Sequence, residues 1–447
     1  MMEKMMPHQT SESGADGLKE VPVKKLRRVL ECKCGVDIGG KFTKVKVQTK
    51  DGKVGEATVA TFKKTDSMPI PERVDGLVAS TVKAIKQACE MGGIKISEIQ
   101  ALGFGAPGAR DPKTKTFRMP NAIGRDESGK PAEVDFEGPL KKALVSEGLI
   151  PTAVVRGGND CDIAAASESF GELKVLQEGR GEVKALTGRQ ERIFILLGTG
   201  IGIGVADKDG INEGATGKME GGHIEVATTL DELRCGCGKH RAGSVCAEAA
   251  SSTTGMENIA KILTKKAING GATTDVEALL VEMQKWNRKK LGDDIDAGER
   301  QSLQTSISTV DKILEAIRAG TGKDAVSLLD GVVFDSSIID GMTEGEKANA
   351  IAVDTMELSG EHFGRYLSQM VTARNPAEII IGGGGSNLFR HGEAITNPFW
   401  RGMARELSID PFGAVSDTRI QAVVGGKENL GINGGMKQAQ LEYERGS

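Results

Sequence analysis

Aromatic residues, net charge and long apolar runs are all scarce in this chain. Its 447 residues include 2 Trp, 2 Tyr and 12 Phe, and the formal net charge is −4. Because no strongly basic field is present, neither nucleic acid nor an anionic membrane is expected as a partner. The longest apolar stretch, residues 193–206, is interrupted by four glycines and a threonine. It is therefore too short and too broken to cross a bilayer.

The seven cysteines do not suggest a disulfide framework, because they are odd in number and unevenly spaced. Three of them fall between Cys235 and Cys246, which indicates a metal site in a reducing compartment. No apolar run precedes a small-residue cleavage site near the N-terminus, and acidic residues there do not suit a transit peptide. We therefore expect a cytoplasmic protein in which residues 1–28 form a disordered tail.

Glycine, by contrast, is abundant, with 60 residues, about twice the usual share. Glycine-rich turns repeatedly follow short strand-like runs, as in Asp37-Ile-Gly-Gly40, Gly198-Thr-Gly-Ile-Gly202 and residues 382–385. Such turns expose backbone N–H groups and admit phosphates without side-chain clash. The pattern predicts a mixed α/β protein whose strand ends converge on a ligand. Any one of these turns alone is more simply explained as a hairpin or bulge, and none fits a P-loop or a Rossmann fingerprint.

Asn159 and Asp160 lie between a predicted strand and an alanine-rich helix. Asn and Asp are preferred N-cap residues, which offers a purely structural explanation. A carboxylate at this position could alternatively take the proton from a hydroxyl nucleophile. The residues alone leave both explanations open.

The strongest local signal is His223 followed by Cys235, Cys237 and Cys246. Three thiolates and one imidazole suit tetrahedral Zn²⁺, and a Cys-x-Cys pair can supply two ligands from a tight turn. Because no His-Glu-x-x-His helix accompanies them, the predicted site is structural. His240 lies between the cysteines and competes as the fourth ligand, while three reduced cysteines without a metal are the alternative.

In this order the motifs resemble the ROK family of sugar kinases and regulators (repressor, open reading frame, kinase). That family belongs to the superfamily of actin, hexokinase and the heat-shock chaperone ATPases. The resemblance spans roughly residues 34–440. The matching segments are Asp37-Ile-Gly-Gly40, Pro107-Gly108 with Pro120-Asn121, Asn159-Asp160, Gly198-Thr199-Gly200, Glu220-Gly-Gly-His223, Cys235 to Gly238 with Cys246-Ala-Glu248, and Asn375-Pro376 before residues 382–385.

The resemblance implies an α/β protein with two ribonuclease-H-like lobes, the actin-like ATPase fold, around a cleft and with a zinc-binding loop. Residues 29–156 and 428–447 would form a small N-terminal lobe. Residues 157–427 would form a large C-terminal lobe that holds the zinc loop and a helical insertion. The family tends to dimerise, so a homodimer is expected.

The resemblance also assigns roles to residues. Asp160 would be the catalytic base. The sugar-binding residues would be Gly108, Asn121, Asn159, Asp160, Glu220, His223 and Glu248. ATP with its Mg²⁺ would be bound by Asp37, Gly39, Gly40, Lys41, Thr43, Gly198, Thr199, Gly200, Gly202, Gly382, Gly383 and Gly384. Structural Zn²⁺ would be bound by His223, Cys235, Cys237 and Cys246.

The implied reaction is ATP-dependent phosphorylation of the 6-hydroxyl of a hexose, with glucose as the first choice. N-acetylhexosamine, fructose and mannose are alternative substrates, and polyphosphate is an alternative donor. Only 36 residues precede Asp37, so the DNA-binding domain of the family's regulators is not expected. Lys41 and Phe42 stand where the family has Thr and Lys, which leaves a non-catalytic sugar sensor open. Asp162 replaces a common Asn, and the spacing between Cys237 and Cys246 is longer than usual.

Overall fold

The computed structural model describes residues 29–446 except 66, 121, 178–185, 189, 215–219, 239, 294, 296, 345–347, 391, 394–395, 410–412 and 426–428. The predicted tail at residues 1–28 and the predicted sugar ligand Asn121 therefore lie outside the described residues. The strands are β1 (Cys32–Ile38), β2 (Phe42–Thr49), β3 (Val54–Ala60), β4 (Ala101–Ala106), β5 (Ala109–Arg110), β6 (Phe117–Arg118), β7 (Glu133–Val134), β8 (Val154–Asn159), β9 (Glu172–Gln177), β10 (Arg192–Leu197), β11 (Ile201–Asp207), β12 (Gly210–Ile211), β13 (Glu225–Ala227), β14 (Ser244–Cys246), β15 (Glu378–Gly382) and β16 (Arg419–Gly425).

The remaining regular elements of the described residues are α-helices and four 3₁₀ turns, at Ile96–Glu98, Gly221–His223, Leu329–Gly331 and Gly384–Phe389. The helices are α1 (Ile70–Gly92), α2 (Glu137–Ser146), α3 (Asp160–Ala165), α4 (Ala247–Ser251), α5 (Thr253–Asn269), α6 (Thr273–Lys290), α7 (Ala297–Arg318), α8 (Gly322–Leu328), α9 (Ser336–Gly341), α10 (Ala350–Arg374), α11 (Pro398–Leu407) and α12 (Leu430–Arg445). In the described part of the chain, no helix combines the length and apolarity that a membrane crossing needs.

The first sheet has the strand order β3-β2-β1-β4-β8. Strands β1, β2 and β3 pair antiparallel, whereas β4 and β8 run parallel to β1. On β2, Val45 and Val47 are buried while Lys44 is exposed, the alternation of a strand with one covered face. Strand β4 is buried throughout, as a central parallel strand with both faces covered should be.

The second sheet has the order β12-β11-β10-β15-β16-β9. Strand β10 again pairs antiparallel with the strand that follows it, and β15 and β16 again run parallel to it. Apart from the extra edge strand β9, this repeats the arrangement of the first sheet. Two ribonuclease-H-like units therefore stand in one chain.

Helices α3 and α12 lie between the two sheets, with α12 packed on β1 and β4 and α3 packed on β10 and β11. Glycines make these contacts possible, because a Cβ on Gly103 would lie 1.8 Å from the Gly435 carbonyl oxygen. A Cβ on Gly204 would likewise lie 2.0 Å from the Cys161 carbonyl oxygen. Backbone therefore lies directly on backbone in both units.

Two local expectations from the sequence are wrong. The sequence predicts a strand over residues 152–155 that ends at a glycine turn beginning with Gly157, yet β8 continues to Asn159. Gly157 serves packing and not a turn, because a Cβ there would lie 2.2 Å from the Phe104 ring. The charged, glycine-spotted segment 171–191 is expected to form an exposed loop and a short helix, yet residues 172–177 form β9, which pairs with β16. Residues 178–185 and 189 of this segment lie outside the described residues. The predicted lobe boundary after residue 156 falls inside β8, and the division into lobes stays a prediction.

Candidate active site

The first glycine turn joins β1 to β2, and Asp37 lies directly before it, near the end of β1. The Gly39 N–H donates to the Phe42 carbonyl at 3.0 Å and closes the turn. The Asn429 side-chain amide donates to Asp37 Oδ2 at 3.0 Å, and Asn429 Oδ1 accepts from the Ile432 N–H at 3.0 Å. Asn429 thus caps α12 and orients Asp37 at the same time. Sequence reasoning missed this residue, although an Asn directly before a helix was a visible cap signal.

The second glycine turn joins β10 to β11 and is fixed by the helix that follows the zinc loop. The Gly198 carbonyl accepts from the Thr253 N–H at 2.8 Å, at the start of α5. The Ile201 N–H donates to Glu248 Oε2 at 2.9 Å. A Cβ on Gly200 would lie 2.5 Å from that same carboxylate oxygen. A side chain at position 200 would therefore displace the Glu248 carboxylate from the turn.

Asp160 begins α3, and Asn159 caps that helix. Asn159 Oδ1 accepts from the Cys161 N–H at 2.8 Å, and the Asn159 amide donates to the Gly108 carbonyl at 3.0 Å. Burial raises the pKa of Asp160, and the negative charge of Asp37 raises it further. The hydrogen bond that Asp160 accepts from the Cys161 N–H acts in the opposite direction and lowers the pKa. The cap explanation is confirmed for Asn159, and Asp160 lines a cavity with a carboxylate whose proton affinity is raised.

Two adjoining cavities meet at Asp160. The first, of about 310 Å³, is lined by Gly108, Asn159, Asp160, Gly198, Thr199, Gly200, Gly202, Glu220 and Glu248, among others. The second, of about 430 Å³, is lined by Asp37, Asp160, Gly383, Asn387, Arg390 and Asn429, among others. Asp160, Cys161 and Leu196 border both. A group in one cavity and a group in the other can therefore approach each other beside the Asp160 carboxylate.

Asp162 forms part of the first cavity wall and is only 6% exposed. Burial raises its pKa to about 8, and the charges of Glu213 and Asp160 add to the rise. The Val205 N–H donates to Asp162 Oδ1 at 3.4 Å. Asp162 is therefore mostly protonated at neutral pH, so it adds little negative charge beside Asp160.

The zinc-type cluster is held by the hairpin of β13 and β14. The potential metal-ligand atoms of Cys235, Cys237, His240 and Cys246 all lie within 4.8 Å of one another. Tetrahedral Zn²⁺ with Zn–S bonds of about 2.3 Å spaces its ligand atoms by roughly 3.8 Å, so these residues fit the metal. His223 contributes one further contact, with Nδ1 3.1 Å from Cys246 Sγ.

The ROK family model matches residues 33–319, more than half of the chain. The chain belongs to the ROK family. A glucokinase of Halalkalibacterium halodurans is 25% identical over 421 residues, covering 92% of this chain and 97% of that enzyme.

Solved ROK structures have the same fold. A ROK hexokinase from Thermus thermophilus has a TM-score of 0.55 at 18% identity, covering 92% of this chain and 98% of that one. A ROK family glucokinase from Streptomyces griseus, solved in complex with glucose and AMPPNP, has a TM-score of 0.52 at 23% identity, covering 92% of this chain and 99% of that one. The predicted α/β architecture, the actin-like ATPase fold of two ribonuclease-H-like units, is confirmed.

Several residues that the ROK resemblance assigned to ligands line neither cavity in the described structure. They are Gly39, Gly40, Lys41, Thr43, His223, Gly382 and Gly384. Thr43 is fully buried, and its hydroxyl lies 2.9 Å from that of Thr61, so its side chain belongs to the core of the first unit. Lys41 and His223 are exposed on the surface.

A buried ion cluster beside the first cavity was not predicted. Arg110, two residues after Gly108 and 1% exposed, donates to Glu137 at 2.8 Å and to Glu213 at 3.1 Å. Arg156 on β8 donates to Glu213 at 2.8 Å. Glu213 follows β12 of the second sheet. The cluster therefore connects the segment that carries Gly108, at the edge of the first cavity, to the second ribonuclease-H-like unit. Single arginines and glutamates far apart in sequence gave no signal for this pairing.

Proposed function

We propose that this ROK protein is an ATP-dependent sugar kinase that phosphorylates the 6-hydroxyl of a hexose, with glucose as the first candidate. The observation that carries the proposal is the place of Asp160. It stands where a cavity of hydrogen-bonding side chains meets a cavity bordered by Asp37 and a glycine turn. The relatives named glucokinase support the choice of glucose.

The sugar would occupy the first cavity. Asn159, Glu220 and Glu248 line it, and amide and carboxylate groups can each engage neighbouring hydroxyls. Gly108 also lines this cavity, where it leaves room for the sugar because it has no side chain. Its φ is 125°, a backbone conformation that favours glycine. Asn121 and His223 remain proposed sugar ligands from the family resemblance alone.

The nucleotide would lie across the second cavity with its phosphates directed at Asp160. Gly383 lines this cavity and has a φ of 88°, and its Cβ would lie 2.5 Å from the Leu197 carbonyl oxygen. No other residue type fits that turn without strain, so the chain can pass close to a nucleotide. Backbone N–H groups of Thr199 and Gly200 would donate to phosphate oxygens from the opposite side.

Asp160 would accept the proton of the sugar's primary hydroxyl as its oxygen attacks the γ-phosphorus and the bond to ADP breaks. The raised pKa of Asp160 suits this role, because it increases the proton affinity of the carboxylate. Asp37 offers a carboxylate of the type that Mg²⁺ prefers, and Asn429 orients it. When bound there, Mg²⁺ would offset the negative charge of the phosphates.

The zinc site would have a structural role. Cys246 ends β14, and Glu248 follows two residues later at the start of α4. Metal bound to Cys235, Cys237 and Cys246 would therefore hold in place the segment from which Glu248 reaches the first cavity.

A coupled assay of ADP release tests the proposal, with ATP and Mg²⁺ and a panel of hexoses and N-acetylhexosamines. Asp160→Asn removes the base but keeps the size of the side chain, and Asp209→Asn on the exposed β11–β12 turn is the matched control. We expect turnover on one sugar that Asp160→Asn abolishes and Asp209→Asn retains. Binding of a sugar without turnover on any panel member, with either ATP or polyphosphate, would identify a non-catalytic sensor instead.

A further inference from the structure

Arg110 is a buried arginine beside the first cavity that has no part in the reaction as proposed above. It lies in β5, and its side chain is 1% exposed. Gly108 and Ala109, the two residues before it, line the cavity. The Arg110 guanidinium also lies 5.9 Å from the centre of the buried Phe117 ring on the neighbouring strand. Because the residues are adjacent in the chain, the position of Arg110 fixes that of the Gly108 segment.

One carboxylate joins Arg110 to another segment of the cavity lining. Glu137, at the start of α2, accepts from Arg110 Nε at 2.8 Å through Oε1. The same oxygen accepts from the Gly157 N–H at 3.0 Å. Gly157 lies on β8, two residues before Asn159, which lines the cavity. Glu137 therefore fixes the Gly108 and Asn159 segments relative to each other.

A second carboxylate joins Arg110 to the other ribonuclease-H-like unit. Glu213 accepts from Arg110 Nη1 at 3.1 Å and from Arg156 Nη2 at 2.8 Å, and its side chain is 8% exposed. Glu213 follows β12, which pairs with β11 in the second sheet. Residues 201–203 of β11 line the cavity. The lining segments of both units are therefore connected through one guanidinium group.

The chemistry of a guanidinium group suits this position. Its N–H groups point in fixed directions in one plane, so it can hold two carboxylates in set positions, whereas a lysine ammonium is a point charge on a flexible chain. The charges of Arg110 and Arg156 balance those of Glu137 and Glu213. Because these pairs are largely buried, salt screens them weakly.

We propose that Arg110 is a positioning residue for the sugar, which sets the distance between the two units across the first cavity through Glu137 and Glu213. The inference rests on the proposed function, because it takes the first cavity as the sugar site. A displacement of reacting groups by about 1 Å can lower the efficiency of a reaction by roughly 100-fold. None of the four charged residues belongs to the described lining of the second cavity, so nucleotide binding should change far less.

The test measures Kd by calorimetry in the full-length protein, for the hexoses and N-acetylhexosamines of the kinase assay and for a non-hydrolysable ATP analogue with Mg²⁺. Arg110→Lys keeps the positive charge but cannot hold both carboxylates in the same geometry. We expect it to raise the Kd of the bound sugar by about 10-fold and that of the nucleotide by less than about 2-fold.

Arg118→Lys is the matched control. Arg118 lies on the neighbouring strand β6 and binds Glu133 through two nitrogens, at 3.2 and 2.8 Å, but this pair is exposed. The exposed pair should contribute little, so both Kd values should stay unchanged in Arg118→Lys. A rise in the sugar Kd equal to that of Arg110→Lys would overturn the proposal.

Glu213→Gln tests the connection to the second unit, and it also serves if Arg110→Lys does not fold. It removes the charge but keeps the size of the side chain, and it should raise the sugar Kd as well. Because both substitutions break the same connection, the double variant should exceed the larger single effect by no more than about 2-fold. Effects that multiply in the double variant would overturn the connection.

An unchanged sugar Kd in Arg110→Lys, or in Glu213→Gln if the former does not fold, would overturn the proposal. Equal rises for sugar and nucleotide would overturn it as well, because they indicate a general loss of structure. The kinase proposal fails on a different result, a wild-type protein that binds sugar without turnover, and the Kd ratios still test Arg110 in that case. A wild-type protein that binds no sugar would overturn both.

Discussion

The two ribonuclease-H-like units share a strand order but use their first turns differently. In the first unit, the turn between β1 and β2 follows a carboxylate, Asp37, which Asn429 orients from the start of α12. In the second unit, the corresponding turn between β10 and β11 has no acid of its own. It holds instead Glu248 from a later helix, through the Ile201 N–H.

The difference shows how one topology can supply two kinds of chemistry. The first turn follows a charged side chain, while the second presents backbone N–H groups and a close approach of the Glu248 carboxylate to Gly200. Gly200 illustrates the second case, since any Cβ there would contact the Glu248 carboxylate at 2.5 Å. The sequence contains no visible repeat, so this internal symmetry appears only in the strand order.

The largest effect on kcat should come from removing the side chain that each turn presents, and it should differ strongly between the two turns. Asp37→Ala should lower kcat by about 10²–10³-fold, because the Mg²⁺ carboxylate is lost. Thr199→Ala should lower it by less than about 10-fold, because the second turn acts through its backbone. Steady-state kinetics with the preferred sugar checks both. A loss at Thr199 equal to that at Asp37 would contradict the contrast between the turns.

The backbone contacts between helices and sheets come next. Gly103→Val should lower the free energy of unfolding by about 3 kcal/mol or more, since its Cβ would lie 1.8 Å from the Gly435 carbonyl oxygen. Gly341→Ala is the control, because nothing lies within 4 Å of its Cβ position. Denaturant titration measures the difference. Equal midpoints for the two variants would mean that α12 does not lie on β4 as described.

A smaller effect should follow from Asn429→Asp. Aspartate keeps the N-cap of α12 but replaces the amide donor to Asp37 with a second negative charge. We expect the KM for Mg-ATP to rise by about 10-fold, with thermal stability nearly unchanged. Asn429→Ser, a neutral cap residue, is the matched control. An unchanged KM in Asn429→Asp would show that Asp37 does not need its orienting partner.

The smallest effect concerns Asp162 and pH. Its pKa is raised from 3.8 to about 8, so the folded chain holds a proton that the unfolded chain releases above pH 4. Stability should therefore fall as the pH rises from about 4 to about 8. Asp162→Asn should weaken the pH dependence of stability and raise the free energy of unfolding by on the order of 1–3 kcal/mol at pH 8. Unfolding curves across this pH range check it, and an unchanged slope would contradict the burial of Asp162.

Much of the fold could be predicted because the glycine turns stand directly after apolar strands. Asp37 and Gly383 were found in this way, and Asp160 was found from its position between a strand and a helix; all three line the second cavity. Asn159 was found as well, since its cap signal is local. Thr43 shows the limit of motif matching: it stands in the first motif, yet its hydroxyl packs against Thr61 inside the first unit.

Partners far apart in sequence could not be predicted. Asn429 lies 392 residues after Asp37, and Arg110 lies 103 residues before Glu213. Such pairs form only when the sheets and helices assemble, and local sequence patterns contain no information about that assembly. The placement of His223 and His240 around the three cysteines has the same origin, because it depends on how the loop between β13 and β14 folds.

Phosphorus NMR of the reaction mixture tests the central claim most directly. With ATP, Mg²⁺ and the preferred hexose, we predict a sugar-phosphate resonance coupled to the C6 methylene protons, formed in step with ADP. Asp160→Asn should bind the same sugar and nucleotide without forming that product. Release of inorganic phosphate with no sugar phosphate, or an undiminished rate in Asp160→Asn, would contradict the assignment of a sugar kinase that uses Asp160 as its base.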